Sequence, residues 1–115
     1  MNKILLHLEG FAVLVLSLYF YFINDYSWLL FFLLLFTPDL SALGYVISIK
    51  VGAVLYNFFH TYIIAVAIIL LGVLLTNQSL LAIGLILSSH IGMDRMLGYG
   101  LKYPTNFKDT HLNRV

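Results

Sequence analysis

Residues 4–23, ILLHLEGFAVLVLSLYFYFI, form an apolar run of about 20 residues interrupted by a single acid, Glu9. A helix of that length crosses the ~30 Å hydrocarbon core of a bilayer. Lipid offers the backbone no hydrogen bonds, so a spanning chain must pair its own N–H and C=O groups, which a helix does within itself. The rest of the chain agrees. It has 115 residues, 62% hydrophobic and 10% charged, against roughly a quarter charged in soluble domains. The first run is longer than a signal-peptide core and lacks a small-residue cleavage site, so it is expected to be a retained span.

Three further segments are apolar enough to span or nearly so. Trp28–Thr37, WLLFFLLLFT, stops at Pro38 and is short for a crossing. Thr61–Thr76 and Ser79–Met93 are separated by Asn77 and Gln78 alone, a tight polar turn that suits an antiparallel helical hairpin. Between the short second segment and this hairpin, Leu40–Phe59 carries Lys50 at its middle, which would cost about 2.5–3.5 kcal/mol at the bilayer centre. That segment is expected to be an interfacial or re-entrant helix, or else a fifth span with Lys50 turned into the bundle.

Charge placement helps to decide. Lys3 precedes the first span, while Arg95, Lys102, Lys108 and Arg114 follow or close the last. The positive-inside rule then puts both termini in the cytoplasm, which requires an even number of spans. The expectation is an all-α polytopic membrane helix bundle of four spans, residues 1–97, with one additional interfacial or re-entrant helix. Residues 98–115 are expected to be a cytoplasmic tail folded on the bundle. Five spans is the alternative. In the four-span arrangement Asp39, His60, His90 and Asp94 fall near one membrane face, as do His7 and Glu9.

This clustering has chemical content. His90 and Asp94 are four apart and project from one helix face, as do Asn57 and His60 at a spacing of three. Two imidazoles and two carboxylates suit zinc, manganese or iron better than calcium or copper(I). The absence of cysteine excludes a thiolate site and a disulfide, so any metal rests on His, Asp and Glu. A net charge of +1 without a basic cluster argues against nucleic-acid binding.

Each residue also has a plainer explanation. Asp39 after Pro38 can be the N-cap of a helix beginning at Leu40. His60 can be an interfacial aromatic beside Phe59 and Tyr62, and His90 with Asp94 a structural hydrogen-bonded pair. Arg95 can be a snorkelling anchor. Glu9, an acid within an apolar span, is a functional candidate by default, or is buried neutral, or pairs with Lys50.

The segment HIGMDRMLGYGLKYPTNFKDTHL, residues 90–112, resembles the signature of a family of small bacterial membrane proteins, domain of unknown function 4260, whose length and hydropathy also match. That resemblance implies a membrane bundle in the bacterial cytoplasmic membrane and brings no activity with it. A more distant likeness is to the membrane-bound metal-dependent hydrolases. Those carry Pro-Asp, then HRGxTH, then His-x-x-x-Asp late in a span, followed by a Gly- and Pro-containing stretch. Pro38-Asp39, FFHTY around His60, His90 with Asp94, and Gly98, Gly100 and Pro104 keep that order. FFHTY has one histidine where the motif has two, and Thr61 stands where Arg would.

In the tail, Gly98, Gly100 and Pro104 should break the last helix near Leu97. A tail folded back brings Asp109 and His111 towards the cluster, although it can also be a short solvated end. The expected function is a metal-dependent membrane hydrolase acting on a phospholipid or lipid-linked phosphoester at the cytoplasmic face. Asp39, His60, His90 and Asp94 would hold a divalent transition metal, zinc or manganese. Glu9 or His111 would move protons, and Arg95 or Lys102 would hold the anionic group. Membrane lipid and a second copy of the chain are the expected partners. The rival is a non-enzymatic ion or proton transporter or small-ligand-binding membrane protein. A third possibility is a cluster that merely ties helices together.

Overall fold

The first apolar run becomes helix α1 (Asn2–Ile23), whose 22 residues extend about 33 Å at 1.5 Å per residue. The computed structural model describes residues 1–115 and is helical apart from turns and one antiparallel bridge between Lys102 and Thr110. After α1 the chain reverses at Asn24–Ser27, where Ser27 caps α2 (Trp28–Leu34) by accepting from the Leu30 amide at 3.2 Å. The buried Tyr21 ring packs on Trp28 and Phe31, and its hydroxyl donates to the Ser27 carbonyl.

Pro38 does not end this second span as its sequence suggests. The chain continues as a 3-10 helix (Thr37–Val46), so that Trp28–Val46 forms a 19-residue unit long and apolar enough to cross. Proline removes a backbone donor and leaves a carbonyl without its usual partner. Hydroxyls near the break help: Thr37 donates to the Leu34 carbonyl and Ser41 to the Pro38 carbonyl, each at 2.7 Å. Ten residues is long for a 3-10 segment, and such segments within a span often mark functional irregularities.

Leu40–Phe59 is therefore not one interfacial helix. Its first part belongs to the 3-10 segment, and after a turn at Ile47–Ser48 the chain returns as α3 (Ile49–His60) packed along it. Lys50 is exposed in the first turn of α3 and forms no ion pair, which rules out its turning into the bundle. The helix breaks at Thr61, whose extended backbone ends α3 and whose hydroxyl caps α4 (Tyr62–Leu74). The axis bends by 42° there. Three helical units are long and apolar enough to cross, with α3 and α4 together a fourth if taken as one bent span. The four-span bundle fits this order, with α3, packed along the 3-10 segment, as the extra helix leading into α4 in the bent fourth unit.

Helix α5 (Gln78–Leu97) is the bundle's centre, buried along most of its length between α1 and α4. It runs antiparallel to α1: His7 Nδ1 donates to the Met96 carbonyl at 2.9 Å at one end, and Tyr26 donates to Gln78 at 2.6 Å at the other. Gly10 and Gly92 make the crossing, because a Cβ on Gly92 would strike the Gly10 carbonyl and the Leu14 amide. Helix α5 ends with Gly98 in the left-handed region at φ 99°, the Gly98 amide reaching the Arg95 carbonyl and the Tyr99 amide the Asp94 carbonyl.

Residues 98–115 fold back on this end. The Asn57 amide clamps the Lys102 backbone, accepting from its N–H at 2.6 Å and donating to its carbonyl at 2.8 Å. Arg114 donates to both carboxylate oxygens of Asp109 at 2.9 and 2.6 Å, and Thr105 donates to the same group. These bonds pull the Asp109 carboxyl from 3.8 down to about 2.

Two outcomes follow. Gly92→Leu should lower stability by about 1–3 kcal/mol or more, by forcing α1 off α5, read as a lower Tm by circular dichroism in detergent; an unchanged Tm would contradict the crossing. The stability supplied by the Asp109–Arg114 pair should be fully present above pH 4 and lost as pH falls through about 2, since the folded carboxyl titrates below its unfolded value. A carbon-13 NMR titration of Asp109 checks this, and Arg114→Ala should return the midpoint towards 3.8.

Candidate metal centre

Both breaks in the helical chain deliver a side chain to α5. Asp39 stands one residue past Pro38, His60 is the last residue of α3, and His90 and Asp94 are one turn apart on α5. His90 and Asp94 lie seven and three residues before Leu97, roughly 10 and 5 Å inside that end of the span. Asp39 is not a cap, since the 3-10 segment has no side-chain cap and the Asp39 carboxylate instead faces the two imidazoles.

The four groups meet closely. Asp39 Oδ1 is 3.2 Å from His60 Nε2 and 3.2 Å from His90 Nε2, and the two Nε2 atoms are 3.2 Å apart. Asp94 Oδ2 is 3.6 Å from His60 Nε2 and 3.3 Å from His90 Nε2. All four atoms lie within 4.8 Å of one another. A tetrahedral ion with bonds of about 2.0–2.1 Å has ligand-to-ligand edges of about 3.3–3.4 Å, close to the separations that involve the two imidazole nitrogens, while the two carboxylate oxygens lie within 4.8 Å of each other.

Proton accounting points the same way. His60 Nδ1 donates to the Tyr56 carbonyl at 2.7 Å, so in the neutral ring Nε2 carries a lone pair, and that lone pair faces the cluster. Two carboxylates and this nitrogen are acceptors only, and a neutral His90 can offer at most one proton among them. His90 Nδ1 is buried without a partner. Four converging groups with at most one proton between them repel, and two carboxylates carry a charge of –2. Arg95 does not supply the balance: its guanidinium donates to the Tyr99 and His60 carbonyls at 3.0 and 2.9 Å. A divalent cation fits both the charge and the lone pairs.

The surroundings hold these four side chains still. The His60 ring stacks on Tyr56 at 3.7 Å with 5° between planes, which together with the carbonyl bond fixes its orientation. Phe36 sets its ring edge against His90. His60 and His90 are fully buried and Asp94 nearly so, whereas the Asp39 side chain is 50% exposed, so the cluster opens on the Asp39 side. Beside that opening an apolar cleft of about 470 Å³ runs between Leu34, Pro38, Phe59, Ile83 and Leu87.

Other expected site residues lie elsewhere. Glu9 is exposed on α1 and His111 sits in the tail, its Nδ1 accepting from the Leu101 amide at 2.8 Å; neither joins the four ligands. Burial, with Arg95 adding to it, lowers the His111 pKa. Asp109 is engaged by Arg114 and Thr105. Arg95 braces the break at Thr61 by taking the His60 carbonyl that has lost its helical donor. Lys102 is buried behind Tyr56, where burial lowers its pKa against the opposing pull of Asp94 and Asp39. Asn57 faces the tail instead of pairing with His60. Sequence reasoning missed Tyr56, whose only signal was its position one helical turn before His60.

No curated protein and no solved structure matches the chain, so the likeness to membrane-bound metal-dependent hydrolases rests on its scattered residues alone. The family model described as Domain of unknown function (DUF4260) matches residues 3–115, essentially the whole chain. A bundle with this cluster thus belongs to the family of that domain.

Proposed function

We propose that this protein is a metal-dependent hydrolase of the bacterial cytoplasmic membrane, acting on a phospholipid or another lipid-linked phosphoester at the cytoplasmic face. The observation that carries the proposal is the convergence of Asp39 Oδ1, His60 Nε2, His90 Nε2 and Asp94 Oδ2 on one shielded point. Zinc is the first candidate, since a set of two imidazole nitrogens and two carboxylate oxygens suits it, with manganese second. A bound ion of this kind polarises a phosphoryl oxygen and brings the pKa of a bound water towards 7.

The chain's own groups would do the rest. Tyr56 holds His60 in the tautomer that presents Nε2. Asp39, the half-exposed member of the set, would border the route by which water and substrate arrive. The cleft beside Pro38 runs along α5 from Leu87 to Ile83, away from the charged end, and would seat an acyl chain there while the headgroup meets Asp39. Lys3 lies at the same end as Lys102, Lys108 and Arg114, because the start of α1 adjoins the end of α5, and this supports a cytoplasmic orientation for that face. A transport path is less well supported. It needs titratable groups through the depth of the bundle, and here no charged residue lies between Tyr62 and Ser89.

Protein purified in neutral detergent and loaded with zinc or manganese should release phosphate or a phosphorylated headgroup from mixed micelles of phosphoester lipids, followed by phosphorus-31 NMR. Chelation should abolish turnover, and His90→Ala should reduce it at least a hundredfold. Metal-loaded, folded wild type that cleaves no phosphoester would contradict the hydrolase. Separately, zinc at a hundred times its Kd should stabilise the fold by about 2.7 kcal/mol, read as a concentration-dependent rise in Tm that His60→Ala removes. A Tm indifferent to zinc would deny the ion a place in the folded state.

A further inference from the structure

On the far side of Tyr56 from the four ligands, the tail encloses a second polar pocket of about 290 Å³, lined by Gly98, Tyr99, Lys102, Lys108, Thr110 and Asn113 with Phe107. Its floor is Lys102, only 6% exposed, whose ammonium lies 4.7 Å from the Tyr56 ring centre and 3.8 Å from that of Phe107. Ring faces are all that this ammonium touches, and Asp94 and Asp39 act on it only from a distance. No carboxylate of the protein pairs with it, and the acid nearest in the tail, Asp109, is held by both arms of Arg114. Two lysines therefore line one pocket that contains no acid.

The backbone places Lys102 deliberately rather than leaving it to find solvent. Asn57 clamps its N–H and its carbonyl, and the bridge to Thr110 fixes the opposite strand of the tail. A long cationic side chain ordinarily snorkels to water, but here the clamp keeps it under Phe107. Thr110 and Asn113 add a hydroxyl and an amide to the lining. A preorganised ammonium, a second cation and neutral hydrogen-bonding groups match an anion with several oxygen acceptors.

We infer that the pocket between Lys102 and Lys108 is a binding site for a phosphoryl anion, whether free phosphate or the phosphate of a lipid headgroup. It is separate from the four metal ligands, with the Tyr56 ring between Lys102 and His60. The site does not depend on the hydrolase reading, and its position at the charged end of the bundle is where lipid phosphates lie.

Isothermal titration of chelator-treated protein in neutral detergent tests this, using inorganic phosphate and water-soluble short-chain phosphatidic acid and phosphatidylcholine. Saturable phosphate binding is expected for metal-free wild type. Lys108→Glu, an exposed change with little bearing on folding, should weaken it at least tenfold, Lys102→Met should remove it, and Lys3→Met should leave it unchanged. Tighter binding of short-chain phosphatidic acid than of phosphate would assign the lipid headgroup, and equal binding would assign the free ion. No saturation by wild type, an unchanged affinity in Lys108→Glu, or binding only after metal is restored would overturn the inference. Because the titration uses metal-free protein, failure of the metal centre leaves its result interpretable.

Discussion

Two carboxylates and two imidazoles face one another across about 3 Å with acceptor atoms inward, and much of the chain's departure from regular helix serves that meeting. In lipid a broken helix leaves backbone groups that no water can satisfy, so each break must bring its own partners. At Pro38 these are the hydroxyls of Thr37 and Ser41. At Thr61 they are the threonine side chain for α4 and the Arg95 guanidinium for the carbonyl of His60. The breaks free Asp39 and His60 from regular helical positions and aim them at α5.

Arg95 links the site to the end of the bundle. One arm takes the His60 carbonyl and the other the Tyr99 carbonyl just past the glycine that ends α5, so the ligand-bearing break and the start of the tail share one side chain. The tail in turn holds α3 through Asn57, one turn before the break. A cation that spends its hydrogen bonds on carbonyls leaves Asp94 free to act as a ligand. The stacked rings of His60 and Tyr56, with the Lys102 ammonium over Tyr56, then separate a negatively charged point from a positively charged one within a few side chains.

The four clustered side chains were legible in the sequence because their signal was local. His90 and Asp94 show their shared face by spacing, and a charged residue in a chain this apolar is conspicuous wherever it falls. Asp39 was legible as a candidate and ambiguous as a cap, because Pro-Asp announces a helix start and nothing in the sequence says that hydroxyls will carry the span through the proline. The same ambiguity placed the boundary of the second span nine residues early, at Thr37 instead of Val46. Lys50, read as central in a segment from Leu40, is at a helix start once the turn at Ser48 is seen. Roles that depend on tertiary partners could not be read: Arg95 bonding two carbonyls, Asn57 clamping the tail, and Glu9 and His111 lying apart from the cluster.

The central claim is that a cation belongs among Asp39, His60, His90 and Asp94, and elemental mass spectrometry of detergent-purified protein tests it most directly. One tightly held transition metal per chain is expected for wild type and should be lost in the His60→Ala, His90→Ala double variant. Wild type that is folded, takes up no zinc or manganese when offered them, and stays metal-free would contradict it. The four side chains would then be joined by shared protons alone.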